Sequence, residues 1–289
     1  MGNHDVKLAK HACEDGSGAT YAPAMGDQYM TMTDGTTIHF TVDGIGDPAL
    51  VLVHGWCSRA SHWTALIEHF TTRHRVLAVD RRGHGESDTP ASGYSAAQHS
   101  LDMGEILRSQ HIAHAVLIGH AGGGPTTLLF ARDNPELVSA VVLVDTRVSP
   151  ASPIDTADDG TRSPLGQLLD RLDGEDGEDG DDVFATLYST FFSDPRSEVA
   201  RRTIADAQAV PLAVARAELA TTAIDTEQLA REIPQPVLWI SVEPAEEEHL
   251  NDIIENVRFG RVIGSGHFPQ IEAPEQVNAL IGQFLDSID

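Results

Sequence analysis

The chain has 289 residues, with 19 Lys+Arg against 44 Asp+Glu, which gives a formal net charge of -25 at pH 7. Such a negative surface repels phosphate, so we expect neither a nucleic acid nor an anionic membrane as a partner. Hydrophobic residues make up 41% and charged residues 22% of the chain, a composition that excludes a wholly disordered protein. The length suits one large α/β domain or one domain that carries an insertion.

The first 28 residues differ from the rest of the chain. Residues 1–28 are polar, rich in small side chains and without apolar periodicity, so we expect a flexible leader outside the folded core. They lack the apolar centre of a signal peptide, and no run in the chain approaches the roughly 18 consecutive apolar residues of a membrane helix. We therefore expect a soluble cytoplasmic protein with no membrane partner. Cys13 and Cys57 lie in unlike surroundings, which predicts two free thiols.

Apolar runs at regular intervals predict a single sheet. Residues 38–42 alternate between apolar and polar side chains, as in an antiparallel strand with one buried face. Continuous apolar runs, typical of parallel strands buried on both faces, occupy 49–53, 76–79, 115–118, 140–144 and 237–240. Helical patterns between these runs, as at 97–109 and 126–134, predict a doubly wound α/β fold with right-handed crossovers. We expect a last strand near 261–263 and a C-terminal helix over 274–286.

The β-α-β pattern is interrupted over residues 147–233, where helical patterns continue but no buried-strand run occurs. We expect this segment to be a helical cap inserted into a core formed by 29–146 and 234–289. Within it, residues 173–182 contain seven acidic residues and three glycines, and this run should repel itself and stay solvated. An ordered calcium loop is the alternative, although the run lacks the bidentate Glu at the twelfth position of an EF-hand loop.

Glycine-rich and charged motifs follow four of the predicted strands, where open α/β sheets place their sites. In chain order the motifs are His54-Gly55-Trp56-Cys57, Asp80-Arg81-Arg82-Gly83-His84-Gly85-Glu86-Ser87, Gly119-His120-Ala121-Gly122-Gly123 and Gly264-Ser265-Gly266-His267-Phe268-Pro269. Together they resemble the α/β-hydrolase family, from about residue 30 to the C-terminus. The resemblance implies a mostly parallel, doubly wound sheet with an inserted helical cap, and it implies that the second motif is structural.

The third motif occupies the family's nucleophile position, where a Gly-x-Ser-x-Gly turn exposes a serine above the sheet. By resemblance the serine would fall at position 121, and this chain has Ala121 there. Alanine has no lone pair with which to attack a carbonyl carbon, so the chain as written cannot perform serine acyl transfer. Three interpretations remain open: an inactivating replacement of serine, a natural enzyme that does not use the nucleophile, and a non-catalytic binding protein.

His267 resembles the family's terminal-loop histidine, which takes the nucleophile's proton and returns it to the leaving group. The acid that orients it has two candidates. Asp145 directly follows a predicted strand and is therefore placed by the rigid sheet, whereas Glu246 belongs to a glutamate cluster typical of a solvated helix start. We favour Asp145 and keep Glu246 as the alternative acid. Asp145 could instead simply cap a turn.

The remaining site residues are assigned by the same resemblance. The backbone N–H groups of Trp56 and Gly122 would form the oxyanion hole. The side chains of His54, His120 and Trp56 would line the substrate pocket, although Trp56 could instead serve in ordinary packing. No metal ion and no organic cofactor is implied.

These residues predict a hydrolase that cleaves an ester or lactone, with Ala121 in place of the nucleophile. The alternative is a cofactor-independent dioxygenase, in which a His/Asp pair deprotonates a hydroxylated heteroaromatic that then reacts with oxygen. It explains Ala121 and Asp145 together, but Ser58 and Gly122 stand where that group has further histidines. A non-catalytic ligand-binding protein is the third possibility. In each case the partner is a small molecule, apolar or aromatic, and the oligomeric state stays open.

Overall fold

The computed structural model describes residues 7–8, 26–150, 167, 170, 180–221 and 224–288. Its strands form one nine-stranded sheet in the order β1-β2-β3-β5-β4-β6-β7-β8-β9. Their bounds are β1 Lys7–Leu8, β2 Gly26–Thr31, β3 Thr37–Asp43, β4 Ala49–Val53, β5 Val76–Val79, β6 Ala115–His120, β7 Val138–Val144, β8 Val237–Ser241 and β9 Val257–Arg261. The pairs β1–β2, β2–β3 and β3–β5 are antiparallel, and all other pairs are parallel.

Helices cover both faces of this sheet. Their bounds are α1 Thr64–Phe70, α2 Ala96–Ser109, α3 Gly124–Asp133, α4 Gly180–Ser189, α5 Glu198–Gln208, α6 Leu212–Leu219, α7 Thr226–Glu232, α8 Glu247–Ile253, α9 Pro269–Glu272 and α10 Pro274–Leu285. Single turns of 3₁₀ helix precede α1 at Ala60–Trp63 and α3 at Ala121–Gly123. Among the described residues, no helix has the length and apolar character that crossing a membrane requires.

The central strands bury side chains on two sides. Val51 and Val53 of β4 belong to a hydrophobic cluster that also contains side chains of α2, α3, α7 and α8. Leu50 and Leu52, which point to the opposite face, pack with side chains of α1 and α10. Because successive strand residues face opposite ways, continuous apolar runs are what a sheet covered on both faces requires. The predicted doubly wound, mostly parallel α/β fold is confirmed.

The two edges of the sheet differ from the sequence prediction. The core starts before residue 29, because β2 begins at Gly26 and β1 pairs Lys7 with Tyr29. At the other edge, β9 ends at Arg261, whereas the strand was predicted near 261–263. The sequence of β9 is VRFGR, and most of its side chains are only partly buried or exposed. Because an edge strand is covered on only part of its surface, its sequence contains no continuous apolar run.

We use the name helical insertion for the described residues 180–221 and 224–233, which lie between β7 and β8. Aromatic side chains of α4 and the turn after it form a third hydrophobic cluster with Cys57 and Phe268 of the core. Cys57 is buried and not in a disulfide. Cys13 and residues 173–179 of the acidic run lie outside the described residues, and residues 180–182 form the start of α4.

Candidate active site

The turn after β6 places Ala121 at the tip of a strand–turn–helix unit. Ala121 has a φ of 46°, a left-handed conformation that costs a residue with a Cβ atom about 1–2 kcal/mol. Gly123 makes the turn possible, because a Cβ there would overlap the carbonyl oxygen of Val53. The glycine therefore lets α3 begin directly against β4, and it holds residue 121 in a strained position above the sheet.

Asp145 and His267 are in direct contact. Asp145 follows β7 immediately, and its backbone N–H donates to the carbonyl oxygen of Ile240 at 2.7 Å. Its Oδ1 atom accepts from the backbone N–H of Val242 at 3.3 Å, and its Oδ2 atom lies 2.6 Å from Nδ1 of His267. The carboxylate favours a proton on Nδ1, which leaves Nε2 of His267 as the ring atom able to accept a proton.

The alternative acid lies elsewhere. Glu246 immediately precedes α8, is exposed to solvent and borders the same large cavity as His267. The carboxylate that contacts the imidazole of His267 belongs to Asp145. The structure thus brings together the pair that the sequence analysis favoured, on side chains that are only 18% and 29% exposed.

Contacts with the helical insertion fix the backbone around His267. The N–H of His267 donates to the carbonyl oxygen of Phe191 at 2.6 Å. A Cβ on Gly266 would overlap that same oxygen, so only glycine permits this approach. The carboxylate of Glu272 accepts from the N–H groups of Gly266, at 2.7 Å, and of Ser193, at 3.0 Å. The terminal loop and the insertion are therefore held as one unit.

Two histidines predicted to line the pocket are buried instead. His54 and His120 are each 1% exposed. The Nδ1–H of His54 donates to the carbonyl oxygen of Gly55, and its Nε2 accepts from the N–H of Arg81. Nε2 of His120 donates to the carbonyl oxygen of His267 at 2.7 Å. Burial lowers the pKa of both rings well below the ordinary value, so these neutral side chains support loops rather than face a ligand.

The backbone segments of Trp56 and Gly122, which were predicted to form the oxyanion hole, lie side by side. A Cβ on Gly122 would lie 3.2 Å from the backbone nitrogen of Trp56, so the two backbone segments are adjacent. The indole of Trp56 donates to the carbonyl oxygen of Ala215 at 2.9 Å and stacks on Phe184, with ring centroids 5.5 Å apart. Packing against the insertion therefore determines where the Trp56 backbone lies.

Two cavities border these residues. The larger, of about 450 Å³, is lined by Asp145, His267, Glu243 and Glu246 among others. The smaller, of about 50 Å³, is lined by Trp56 and Gly122. Asp145 and His267 thus line one cavity, and Trp56 and Gly122 line the other.

Sequence analysis missed a buried ionic cluster beside the smaller cavity. The guanidinium of Arg81 donates to Glu218 of α6 and to the carbonyl oxygen of Gly55. Burial by itself raises the pKa of Glu218, but Arg81 and the nearby His84 outweigh it and lower the pKa to about 2. The sequence signal for this cluster was Arg81. It was missed because we expected the motif that contains Arg81 to be only structural.

His99 belongs to the same region and is 4% exposed. It lies one helical turn after Ala96 on the face of α2 that also buries Met103 and Ile106. A histidine four and seven residues before apolar side chains of the buried face was the signal that could have identified it. Within the part of the chain that the structure describes, no three His, Cys, Asp or Glu side chains are grouped so that they could hold a metal ion.

Comparison with known proteins gives the family. A model of the α/β hydrolase fold matches residues 48–274, which is more than half of the chain. The chain belongs to the α/β-hydrolase family. This confirms the resemblance drawn from the four motifs.

Curated relatives of this α/β-hydrolase include hydrolases. It is 34% identical over 109 residues to a 2-(acetamidomethylene)succinate hydrolase of Mesorhizobium japonicum, a match that covers 38% of this chain and 39% of the relative. It is 32% identical over 117 residues to a soluble epoxide hydrolase of a Corynebacterium species, covering 40% and 41% of the two chains. Each match therefore spans less than half of the relative's length.

The fold of one solved structure matches this chain over a much longer segment than the curated relatives do. The enol-lactonase of Burkholderia xenovorans superimposes with a TM-score of 0.73 at 23% identity, covering 89% of this chain and 99% of the other. At this identity the likeness shows a shared fold.

Proposed function

We propose that this α/β-hydrolase cleaves an ester or lactone, with His267 as the general base and Asp145 as the residue that orients it. The observation that carries the proposal is the 2.6 Å contact between Asp145 Oδ2 and His267 Nδ1. It leaves the second ring nitrogen free to take a proton. The adjacent backbone of Trp56 and Gly122 supplies N–H groups for the negative charge that develops on the carbonyl oxygen.

With Ala121 in place, the reaction available to this site is direct attack by water. His267 takes one proton from a water molecule as its oxygen forms a bond to the carbonyl carbon. The resulting oxyanion is stabilised by the two backbone N–H groups. When the carbon–oxygen bond of the ester breaks, His267 returns the proton to the leaving alkoxide, so that an acid and an alcohol are released.

The conformation of Ala121 supports a retained binding function for the turn. Its φ of 46° is a strained conformation for alanine, and no hydroxyl group needs to be presented there. The turn nevertheless determines where the next amide, that of Gly122, is directed. The strained turn would therefore still direct the N–H of Gly122 to a substrate carbonyl group, even though residue 121 is not a nucleophile.

The experiment compares three forms of the full chain on a panel of p-nitrophenyl esters and lactones: the unchanged chain, Ala121→Ser, and Ala121→Ser with His267→Ala. We expect slow hydrolysis without a burst by the first, rates higher by several orders of magnitude for the second, and a loss of about a thousandfold or more from the second to the third. If Ala121→Ser cleaves nothing on the panel, the hydrolase proposal is wrong.

A second candidate function rests on the same pair without a nucleophile. In a cofactor-independent dioxygenase, His267 would take the proton of a hydroxylated heteroaromatic, and the resulting anion would react with O₂ and incorporate both oxygen atoms. Ala121 favours this candidate, because the reaction needs the His267–Asp145 pair and no hydroxyl group at position 121. Oxygen uptake by the unchanged chain with hydroxyquinolones, abolished by His267→Ala, would decide for it. Binding without turnover would instead indicate a ligand-binding protein.

A further inference from the structure

The smaller cavity contains a histidine whose hydrogen-bonding capacity is unused. His99 lines this cavity of about 50 Å³ together with Arg81, Trp56 and Gly122. Among the described residues, neither Nδ1 nor Nε2 of His99 has a hydrogen-bond partner, and the Nε–H of Arg81 has none either. A buried polar atom without a partner destabilises the folded chain, because it has lost its hydrogen bonds to water. Three such atoms beside one cavity therefore point to an occupant that binds them.

The charge state of His99 defines what that occupant must offer. Burial, reinforced by the positive charge of Arg81, lowers the pKa of His99 well below its ordinary value. The neutral ring has one N–H donor and one nitrogen acceptor. A hydroxyl group can both donate to the acceptor and accept from a donor, whereas a methyl group satisfies neither.

The charges that line the smaller cavity and the volume of that cavity further restrict which chemical group can bind there. Arg81 and Glu218 both line the cavity and are paired with each other, so their opposite charges offset and favour neither an anionic nor a cationic group. A water molecule occupies about 30 Å³ in the liquid, so a space of about 50 Å³ holds one or two non-hydrogen atoms. A neutral hydroxymethyl group fits both limits.

We propose that this cavity binds the hydroxyl group of a short hydroxylated acyl chain, with His99 and Arg81 as its hydrogen-bond partners. The inference rests on the proposed ester or lactone function, because Gly122 and Trp56 would hold the carbonyl oxygen of the same acyl group while lining this cavity. The preferred substrates are accordingly esters or lactones of small hydroxy acids. A longer acyl chain overfills the cavity.

The first test measures binding, with no reaction required. Glycolamide and propionamide differ only in that a methyl group replaces the hydroxyl group, and both carry the carbonyl group of the acyl part. The ¹⁵N resonances of the histidine rings of the full chain are recorded while each amide is added. We expect glycolamide to shift the His99 resonances and to bind about tenfold more tightly than propionamide. Equal binding of the two amides, or no change at His99, overturns the inference.

Variants separate recognition by His99 from a loss of folding. His99→Leu removes both ring nitrogens and should abolish the preference for glycolamide, while binding of propionamide stays the same or improves. Thr41→Val on β3 is the matched control, because it also removes a buried polar atom without a partner and lies outside the cavity. Glycolamide should bind to this control as it does to the unchanged chain. If His99→Leu does not fold, the comparison of the two amides on the unchanged chain still decides.

The second test measures the same preference in turnover. Ala121→Ser should hydrolyse p-nitrophenyl glycolate with a kcat/KM about tenfold above that for p-nitrophenyl propionate. Preferential binding of glycolamide without any ester or lactone cleavage would overturn the proposed function and support this subsite. Cleavage of both esters at equal rates, with equal binding of both amides, would support the function and overturn the subsite.

Discussion

The Oδ2 atom of Asp145 lies 2.6 Å from Nδ1 of His267, although 122 residues separate them in sequence. Asp145 follows β7 and His267 lies in the loop after β9, and β8 is the single strand between these two in the sheet. Parallel strands bring their carboxyl ends to the same edge, so both loops meet above the sheet. Asp145 itself has a φ of 43°, a strained conformation that turns its carboxylate towards the imidazole.

The first prediction concerns this contact. In the Ala121→Ser background, Asp145→Asn should lower kcat about 10⁴-fold, because an amide in place of the carboxylate no longer fixes the proton on Nδ1 of His267. The measurement is steady-state hydrolysis of the best ester from the panel.

Glu246→Gln is the matched control for that variant. It removes the charge of an exposed carboxylate that borders the same large cavity, and it should leave kcat within about twofold. The opposite ranking of the two variants would transfer the orienting role to Glu246.

The second prediction concerns covalent chemistry at position 121. Ala121→Ser should become labelled by a phosphonate or a sulfonyl fluoride, because residue 121 directly follows His120, whose ring lies 4.8 Å from that of His267, the proposed base. Intact-protein mass spectrometry should show one added reagent molecule per chain. The unchanged chain should gain no mass under the same conditions, and labelling of both forms would mean that another residue reacts.

The third prediction concerns the approach of the insertion to the terminal loop. Gly266→Ala should lower both thermal stability and hydrolysis, because its Cβ overlaps the carbonyl oxygen of Phe191, which accepts from the N–H of His267. A displaced backbone at His267 moves the general base from its position. We expect a loss of about 1–3 kcal/mol in the free energy of unfolding.

Gly282→Ala is the control for this steric argument. A Cβ at Gly282, in the middle of α10, meets no atom within 4 Å. Alanine there should raise the free energy of unfolding by about 0.5–1 kcal/mol, since it has the higher helix propensity. Urea unfolding of both variants measures the difference, and equal effects would contradict the proposed overlap.

The fourth prediction concerns pH and the buried Arg81–Glu218 pair. The pKa of Glu218 falls from its usual value of 4.5 to about 2 in the folded protein. A lowered folded-state pKa stabilises the protein above the unfolded value, and the stabilisation disappears as the pH falls from 4.5 towards 2. The difference in the free energy of unfolding between the unchanged chain and Glu218→Gln should therefore shrink across that interval.

Glu198→Gln provides the comparison for this pH series. Glu198 also pairs with an arginine, Arg202, but its side chain is 68% exposed. Solvent screens such a surface pair, so the difference between this variant and the unchanged chain should be small. A difference for Glu218→Gln that is equally small, or that does not change with pH, would show that its carboxylate gains nothing from the buried arrangement.

The sequence by itself predicted the α/β fold and most of its strands. Apolar runs such as residues 49–53 report burial on both faces, which is a local property that periodicity reveals. The edge strand β9 was predicted a few residues too late, near 261–263, because a strand with a neighbour along only one side has no continuous apolar run that marks its bounds. Two of the glycine-containing motifs also identified Ala121 and His267, and Asp145 was identified because it directly follows the apolar run 140–144, since glycines and the residues after strands mark the turns where a site can form.

The tertiary structure decided which side chains meet. It paired His267 with Asp145, buried the rings of His54 and His120, and brought Glu218 of the insertion against Arg81. It also placed His99 and Gly122 in the lining of one cavity, which no local sequence pattern predicts. Contacts between residues more than 100 positions apart depend on strand order and on how the insertion packs against the core. These are properties of the whole folded chain, and a pattern of neighbouring residues does not contain them.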